Sequence, residues 1–105
     1  MKVVNRMKAD RVNLEHQTGD SEQLGAIAFA FLAGEPEYFS RFAAATGIDL
    51  ADISELAGSR QFLSAVLEYL LGDEFLLLSF CEHNRLQPQQ VQNAQMILAG
   101  DKGGY

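Results

Sequence analysis

The sequence predicts an all-α protein, a single domain of six helices. Two observations carry this prediction. Apolar residues recur three and four positions apart in segment after segment, which is the spacing of one helical face. Most of these segments also begin at a capping residue or a proline and end at a glycine. Within the 105 residues we expect a mobile or partly helical N-terminal arm at residues 1–18, a helical domain at 19–100 and a frayed tail at 101–105.

The first helix is predicted around the uncharged stretch from Leu24 to Ala33. Asp20 or Ser21 can cap its start, and Gly34 ends it at a position that often takes a left-handed conformation. Its predicted inner face repeats at helical spacing and consists of Leu24, Ile27, Ala28, Phe31 and Leu32.

The next three helices have clear boundaries in the sequence. Pro36 fits the first position of the second helix, where its missing N–H costs nothing, and Gly47 ends that helix. Asp49 caps a short third helix, which ends at Gly58. Ser59 then opens the fourth helix.

The fifth helix is capped by Asp73 and is apolar nearly all round over residues 75–81. A helix without a polar face is normally buried, so we expect it at the centre of the domain. Pro88 starts the sixth helix and Gly100 ends it. The predicted inner stripe of this last helix is Val91, Ala94, Gln95 and Leu98.

The chain also repeats itself at an offset of 38 residues. Caps, stops and apolar positions coincide in the pairs Ser21/Ser59, Gln23/Gln61, Leu32/Leu70, Gly34/Gly72, Glu35/Asp73, Phe42/Phe80, Ile48/Leu86 and Ile53/Val91. These coincidences indicate two tandem three-helix units packed face to face through their first two helices. Because any six-helix chain with glycine stops has some self-similarity, chance is the alternative explanation.

A set of residues spread over both halves resembles a known family. It comprises the run from Ala28 to Glu37, then Phe42, Gly47-Ile48, Phe62-Leu63, Ala65-Val66-Leu67, Asp73-Glu74 and Leu77. In these positions the chain is similar to the bacterial family called domain of unknown function 3572, over residues 21–100. The resemblance implies a small, cytoplasmic, helical protein. The matching residues are caps and core positions, so it implies no catalytic residue.

Charge is unevenly distributed along the chain. Residues 1–18 hold four basic side chains against two acidic ones, a net charge of +2, and residues 19–105 hold four against twelve, a net charge of −8. Nucleic acid and anionic membranes repel an acidic body, so we expect neither as a partner. The N-terminal residues lack the apolar segment of a signal peptide, and the single Cys81 cannot form an internal disulfide. Both observations favour the cytoplasm.

No residue pattern predicts catalysis, a cofactor or a metal site. His16 and His83 lie on separate segments without ligand spacing, and Cys81 lies on an apolar helix face. Asp73 and Glu74 fit a helix start better than an acid/base pair, because carboxylates stabilise that end of the helix dipole. We therefore expect a protein that is not an enzyme and has no small-molecule substrate.

The alternative function is that of a transcription-associated helix-turn-helix protein. Ala43, Gly47 and Ile53 have the spacing of the tight turn in that motif. The second helix of this corner carries three acidic residues and no basic one. Basic contacts to phosphate supply most DNA affinity, so we expect this corner to serve packing instead.

The candidate contact for a partner is the side of the first helix opposite its predicted core face. This strip consists of Gly25, Ala26, Phe29, Ala30 and Ala33. The repeat places Ser64 opposite Ala26 and Glu68 opposite Ala30, so the second unit is polar where the first is apolar. Soluble proteins seldom leave such a strip in water. We expect a non-catalytic protein-interaction module that forms a homodimer through this strip, with the N-terminal arm as the alternative cover.

Overall fold

The computed structural model describes residues 19–103, and the predicted arm at residues 1–18 lies outside the described residues. Helix α1 covers residues 19–33 of the described chain. The later helices are α2 (Pro36–Thr46), α3 (Ile53–Leu56, after a 3₁₀ turn at Leu50–Asp52), α4 (Arg60–Leu71), α5 (Glu74–Asn84) and α6 (Pro88–Gly103). The all-α, six-helix prediction is confirmed. Helix α6 continues past the predicted end at Gly100 into residues assigned to the tail.

Several helix boundaries follow from side-chain caps, as the sequence predicts. The Ser59 hydroxyl accepts the backbone N–H of Phe62 at 3.1 Å at the start of α4. The Asp73 carboxylate accepts the backbone N–H of Leu76 at 3.2 Å at the start of α5. Pro36 occupies the first turn of α2, which ends at Gly47 in the left-handed conformation with φ of 72°. Each cap satisfies a backbone group that the helix itself leaves unpaired.

Two further boundary predictions, both on α1, are wrong. Asp20 and Ser21 do not cap α1, because both lie inside a helix that already contains Gly19. Gly34 does not take the left-handed conformation, which among the described residues occurs at Gly47 and Arg85. A backbone bond from the N–H of Gly34 to the carbonyl of Ala30, at 2.9 Å, closes α1 instead.

Helix α4, and not α5, lies at the centre of the domain. It buries six of its residues, Phe62, Leu63, Ser64, Val66, Leu67 and Leu70. Helix α6 covers one side of it through the buried Val91, Ala94 and Leu98. Helix α5 buries one face only, and Phe75 and Leu78 remain 68% and 49% exposed. Helix α5 is therefore apolar on two sides, one packed in the core and one exposed to solvent.

The inner face of α1 is rotated from the predicted one. Its buried stripe is Ser21, Gly25, Ala28 and Leu32, whereas Ile27 is 40% exposed. The cause is the close approach of α4 at Gly25, where an added Cβ would lie 2.9 Å from the Cβ of Leu63. Glycine permits this approach because it has no side chain. The apolar pattern alone cannot reveal such a rotation, since α1 is apolar on several sides.

The 38-residue repeat is present in the fold. Helices α2 and α5 begin and end at positions 38 residues apart, and so do the left-handed residues Gly47 and Arg85. We call residues 19–56 the first unit and residues 57–103 the second unit. Positions 38 residues apart are called equivalent.

The two units pack against each other through equivalent positions. Glu22 and Arg60 form an ion pair at 2.9 Å and are themselves equivalent, as are Gly25 and Leu63. The ring centroids of Phe31 and Phe80 lie 5.4 Å apart, and those of Tyr69 and Phe42 lie 5.2 Å apart. Exchanging each residue for its equivalent converts the first aromatic pair into the second. The face-to-face packing of two related units is thus a property of the contacts and not only of the sequence.

Candidate protein-interaction groove

The structure divides the predicted strip on α1 between two environments. Ala26, Ala30 and Ala33 are exposed. Gly25 is buried against α4, and the ring of Phe29 lies 5.2 Å from that of Phe62. Placing Gly25 and Phe29 on the outer side was therefore wrong, because the rotation of α1 turns them towards α4. Of these alanines, Ala30 lines a different surface, on the α5 side of the helix.

That surface is a groove between α1 and α5. We call it the α1–α5 groove; its volume is about 520 Å³ and it is lined by Ile27, Ala30, Phe31, Gly34, Glu35, Tyr38, Ser79, His83 and Asn84. Its size is in the range of pockets that hold a small ligand or a few side chains of a partner. Most of the α1 contribution is apolar, whereas α5 contributes polar side chains.

Phe31 forms the floor of the α1–α5 groove. Its ring centroid lies 5.4 Å from that of Phe80, 5.8 Å from that of Tyr38 and 6.3 Å from that of His83. Phe80 is fully buried, so this contact anchors the Phe31 ring to the core. Tilted and edge-on aromatic pairs at such distances are favourable. Contacts within the domain therefore hold the Phe31 ring in place.

A second depression of about 310 Å³ continues the groove along α1 towards Asp20. The two share Ile27 and Asn84 among their lining residues. The charged carboxylates are at the two ends of this continuous surface, at Asp20 and Glu35. Neither part has a lysine or arginine among the described residues that line it. The groove is thus apolar along its floor and acidic at its ends.

An exposed apolar side chain on α5, that of Phe75, extends this surface. Phe75 lies one helical turn before Ser79, which lines the groove, and residues four apart are neighbours on a helix surface. Phe75 is 68% exposed. Its equivalent in the first unit is Glu37, which is charged. The second unit therefore has a large apolar residue beside the groove where the first unit has a carboxylate.

The second unit covers the α4 surface that is equivalent to the Ala26 side of α1. On α4, Ser64 is 8% exposed and its hydroxyl accepts a hydrogen bond at 3.3 Å from the Gln95 side chain of α6. The equivalent of Ser64 on α1 is Ala26, which is exposed. Helix α3 is only four residues long, so no part of the described first unit matches the second half of α6. The α1 surface at Ala26 is consequently both more apolar and less covered than the α4 surface at Ser64.

Other candidate sites have weaker support in the structure. Burial raises the pKa of the Cys81 thiol, which makes it a poor nucleophile at neutral pH. The described residues contain no group of three or more His, Cys, Asp or Glu side chains placed to hold a metal ion. At the helix-turn-helix corner, the second helix is a single α-helical turn, and the Asp49 carboxylate accepts the backbone N–H of Ala51 at 3.0 Å. None of the helices in the described part of the chain is both long and apolar enough to cross a bilayer.

Among the residues that line the groove, Ala30 is the one that the sequence predicts as a partner contact. The sequence pattern instead predicts Ile27 and Phe31 in the core of α1, and it assigns Tyr38 and His83 no contact with a partner. One signal was available, because the repeat pairs the large Ile27 with the small Ala65. A large apolar residue where the equivalent helix has a small one indicates a surface that differs between the units.

Comparison with known proteins identifies the family of the chain. No curated protein and no solved structure matches it. A family model described as "Protein of unknown function (DUF3572)" matches residues 18–101, which is most of the chain. The match includes α1, α5 and the whole groove between them. The chain therefore belongs to the DUF3572 family.

Proposed function

We propose that this protein is a non-catalytic interaction module of the cytoplasm, which self-associates through the α1–α5 groove. The observation that carries the proposal is the difference between the two units. Helix α6 packs over the α4 surface at Ser64, whereas the more apolar α1 surface at Ala26 and Ile27 is exposed. Monomeric proteins seldom leave large contiguous apolar patches in water.

The composition of the surface supports a protein partner over other ligands. Phe31, Tyr38 and Phe75 are aromatic, and aromatic side chains are enriched in protein interfaces. Among the described residues that line the groove there is no lysine or arginine to hold a phosphate or an acidic ligand. A second copy of the chain is the simplest partner, because most soluble oligomers are symmetric homo-oligomers.

The test is the oligomeric state of the full chain and of an Ala30→Glu variant. Glutamate is what the second unit carries at the equivalent position, Glu68, which is exposed there. In the monomer the new carboxylate lies in water and leaves stability nearly unchanged. Ala30 lies between the two acidic ends of the groove, among the apolar lining residues Ile27 and Phe31, so at an interface the new carboxylate is buried without a partner. This burial costs about 3 kcal/mol and raises the dimer dissociation constant more than about a hundredfold. Sedimentation velocity over a wide concentration range measures this change.

The matched control is Ala44→Glu on α2. Ala44 is exposed, and its equivalent is the exposed Glu82, so this variant also copies the second unit and adds the same charge. We expect Ala44→Glu to dimerise like wild type. A wild type that stays monomeric at high concentration contradicts the proposed self-association. Equal dimerisation of the Ala30→Glu and Ala44→Glu variants contradicts the assignment of the groove.

The alternative is a role in transcription through the corner between α2 and α3. Gly47 does have the left-handed conformation of a tight turn. The residues that follow are acidic, so we expect no specific DNA complex at physiological salt. A gel shift with pooled genomic fragments checks this expectation, and a salt-resistant specific complex would favour the alternative.

A further inference from the structure

We infer that, in the self-associated protein, residues 1–18 of a second copy bind in the α1–α5 groove. The inference rests on the proposed function and names what enters the groove. Three observations support it: the charge of the groove, the length of the groove, and the position of Gly19, where the segment joins the domain. In this arrangement residues 1–18 of each copy bind in the groove of the other copy.

Charge favours this segment over a direct contact between two grooves. The described surface has carboxylates at both ends of the groove, Asp20 and Glu35, and no lysine or arginine lines it. Residues 19–105 have a net charge of −8. A symmetric contact of two such surfaces would bring like charges together, which is unfavourable. Residues 1–18 carry a net charge of +2, so they are the complementary part of the chain.

The residue types in the segment also match the groove. Its basic side chains are Lys2, Arg6, Lys8 and Arg11. Between them stand Val3, Val4 and Met7, and Leu14 follows. Apolar side chains can contact the floor formed by Ile27 and Phe31, while basic side chains reach the carboxylates at the ends.

Length permits the contact. From Asp20 to Gly34 the surface follows α1 for about 20 Å, at 1.5 Å per residue. Eighteen residues span about 27 Å as a helix and up to roughly 60 Å when extended, so the segment is long enough in either form. Its attachment point, Gly19, adjoins Asp20 at one end of the groove.

The same attachment point favours a second copy over the segment's own groove. Gly19 is already helical, so an intramolecular path along α1 requires the chain to reverse immediately before it. A segment from another copy has no such requirement. Exchange also brings each basic segment to the acidic domain of the other copy, which reduces the repulsion between two domains of charge −8.

The experiment uses the full-length double variant Lys8→Glu/Arg11→Glu. Its control is Arg41→Glu/Lys102→Glu, which makes the same change in net charge outside the segment. Arg41 lies on α2, where it pairs with Glu37 at 3.1 Å on an exposed surface. Sedimentation velocity gives the dimer dissociation constant of each protein at low and at high salt.

We expect the segment variant to raise the dissociation constant at least about tenfold more than the control does. Added salt should weaken the wild-type dimer, because it screens exposed charge pairs. If both double variants dimerise alike while Ala30→Glu is monomeric, the groove is the interface but the segment does not occupy it, and the inference is overturned. If wild type is monomeric throughout, the proposed self-association fails and the inference fails with it.

Discussion

Replacing Gly25 by alanine puts a methyl group into a helix contact that has no room for it. The added Cβ would lie 2.9 Å from the Cβ of Leu63 on α4. Carbon atoms prefer separations of roughly 3.5–4.0 Å, so α1 and α4 must move apart by about 0.6 Å or more. The Leu63 atom is a Cβ held directly by the α4 backbone and cannot rotate away. The strain must therefore be taken up by the helices.

Two opposing effects set the magnitude. Alanine is favoured over glycine inside a helix by about 1 kcal/mol. Forcing an extra carbon into a well-packed core costs about 1–3 kcal/mol. Gly100→Ala on α6 isolates the first effect, because no atom lies within 4 Å of its added Cβ. We expect Gly100→Ala to stabilise the protein and Gly25→Ala to be less stable than Gly100→Ala by about 1–3 kcal/mol.

Urea unfolding followed by far-UV circular dichroism measures both free energies of unfolding. Equal slopes against urea would show that the two variants unfold over a similar change in surface. A Gly25→Ala variant that gains as much stability as Gly100→Ala would refute a tight contact between α1 and α4 at Gly25. That result would mean that the rotation of α1 has another cause.

The remaining predictions concern caps, core and the thiol. Ser59→Ala and Asp73→Ala should each lower the free energy of unfolding by about 1 kcal/mol, measured in urea, because each removes a helix cap. In the same assay, Phe80→Ala should lower the free energy of unfolding by about 3–5 kcal/mol, because Phe80 is fully buried. Phe75→Ala should lower it by less than about 0.5 kcal/mol, because Phe75 is 68% exposed. Similar losses for the two variants would show that the face of α5 assigned to the core is wrong. Burial raises the pKa of the Cys81 thiol, so a thiol reagent should label the native protein more slowly than the unfolded chain at mildly alkaline pH. The folded state favours the neutral Cys81 thiol, whereas the unfolded chain ionises at a lower pH. The free energy of unfolding is therefore unaffected by this group at neutral pH and falls as pH rises from the unfolded pKa through the raised pKa of the folded state.

Local sequence signals predicted most of the fold. Ser59, Asp73 and Pro36 act at helix starts through their own side chains or rings, so their effect can be read without knowing the tertiary structure. The inner stripe of α6 was also predicted correctly, since Val91, Ala94 and Leu98 are buried and Gln95 is half-buried. The 38-residue repeat predicted two related three-helix units.

Tertiary packing decided what the sequence could not. In α1 several faces are apolar, and the contact at Gly25 with α4 selects which of them is buried. In α5, Phe75 is a residue type usually found in the core, although it is 68% exposed. The apolar pattern of the sequence therefore predicted that α5 lies at the centre of the domain. The α1–α5 groove joins residues about 50 positions apart in the chain, such as Ile27 and Ser79, and no local signal brings them together.

The most direct test of the claim that the α1–α5 groove is the association surface is an amide NMR dilution series on the full-length protein. Each backbone amide reports its own surroundings, so the spectra locate the contact without a substitution. We predict concentration-dependent shifts at Ile27, Ala30 and His83, with Ala44 unchanged as the internal control. Shifts confined to another surface, or spectra that do not change with concentration, would contradict the account.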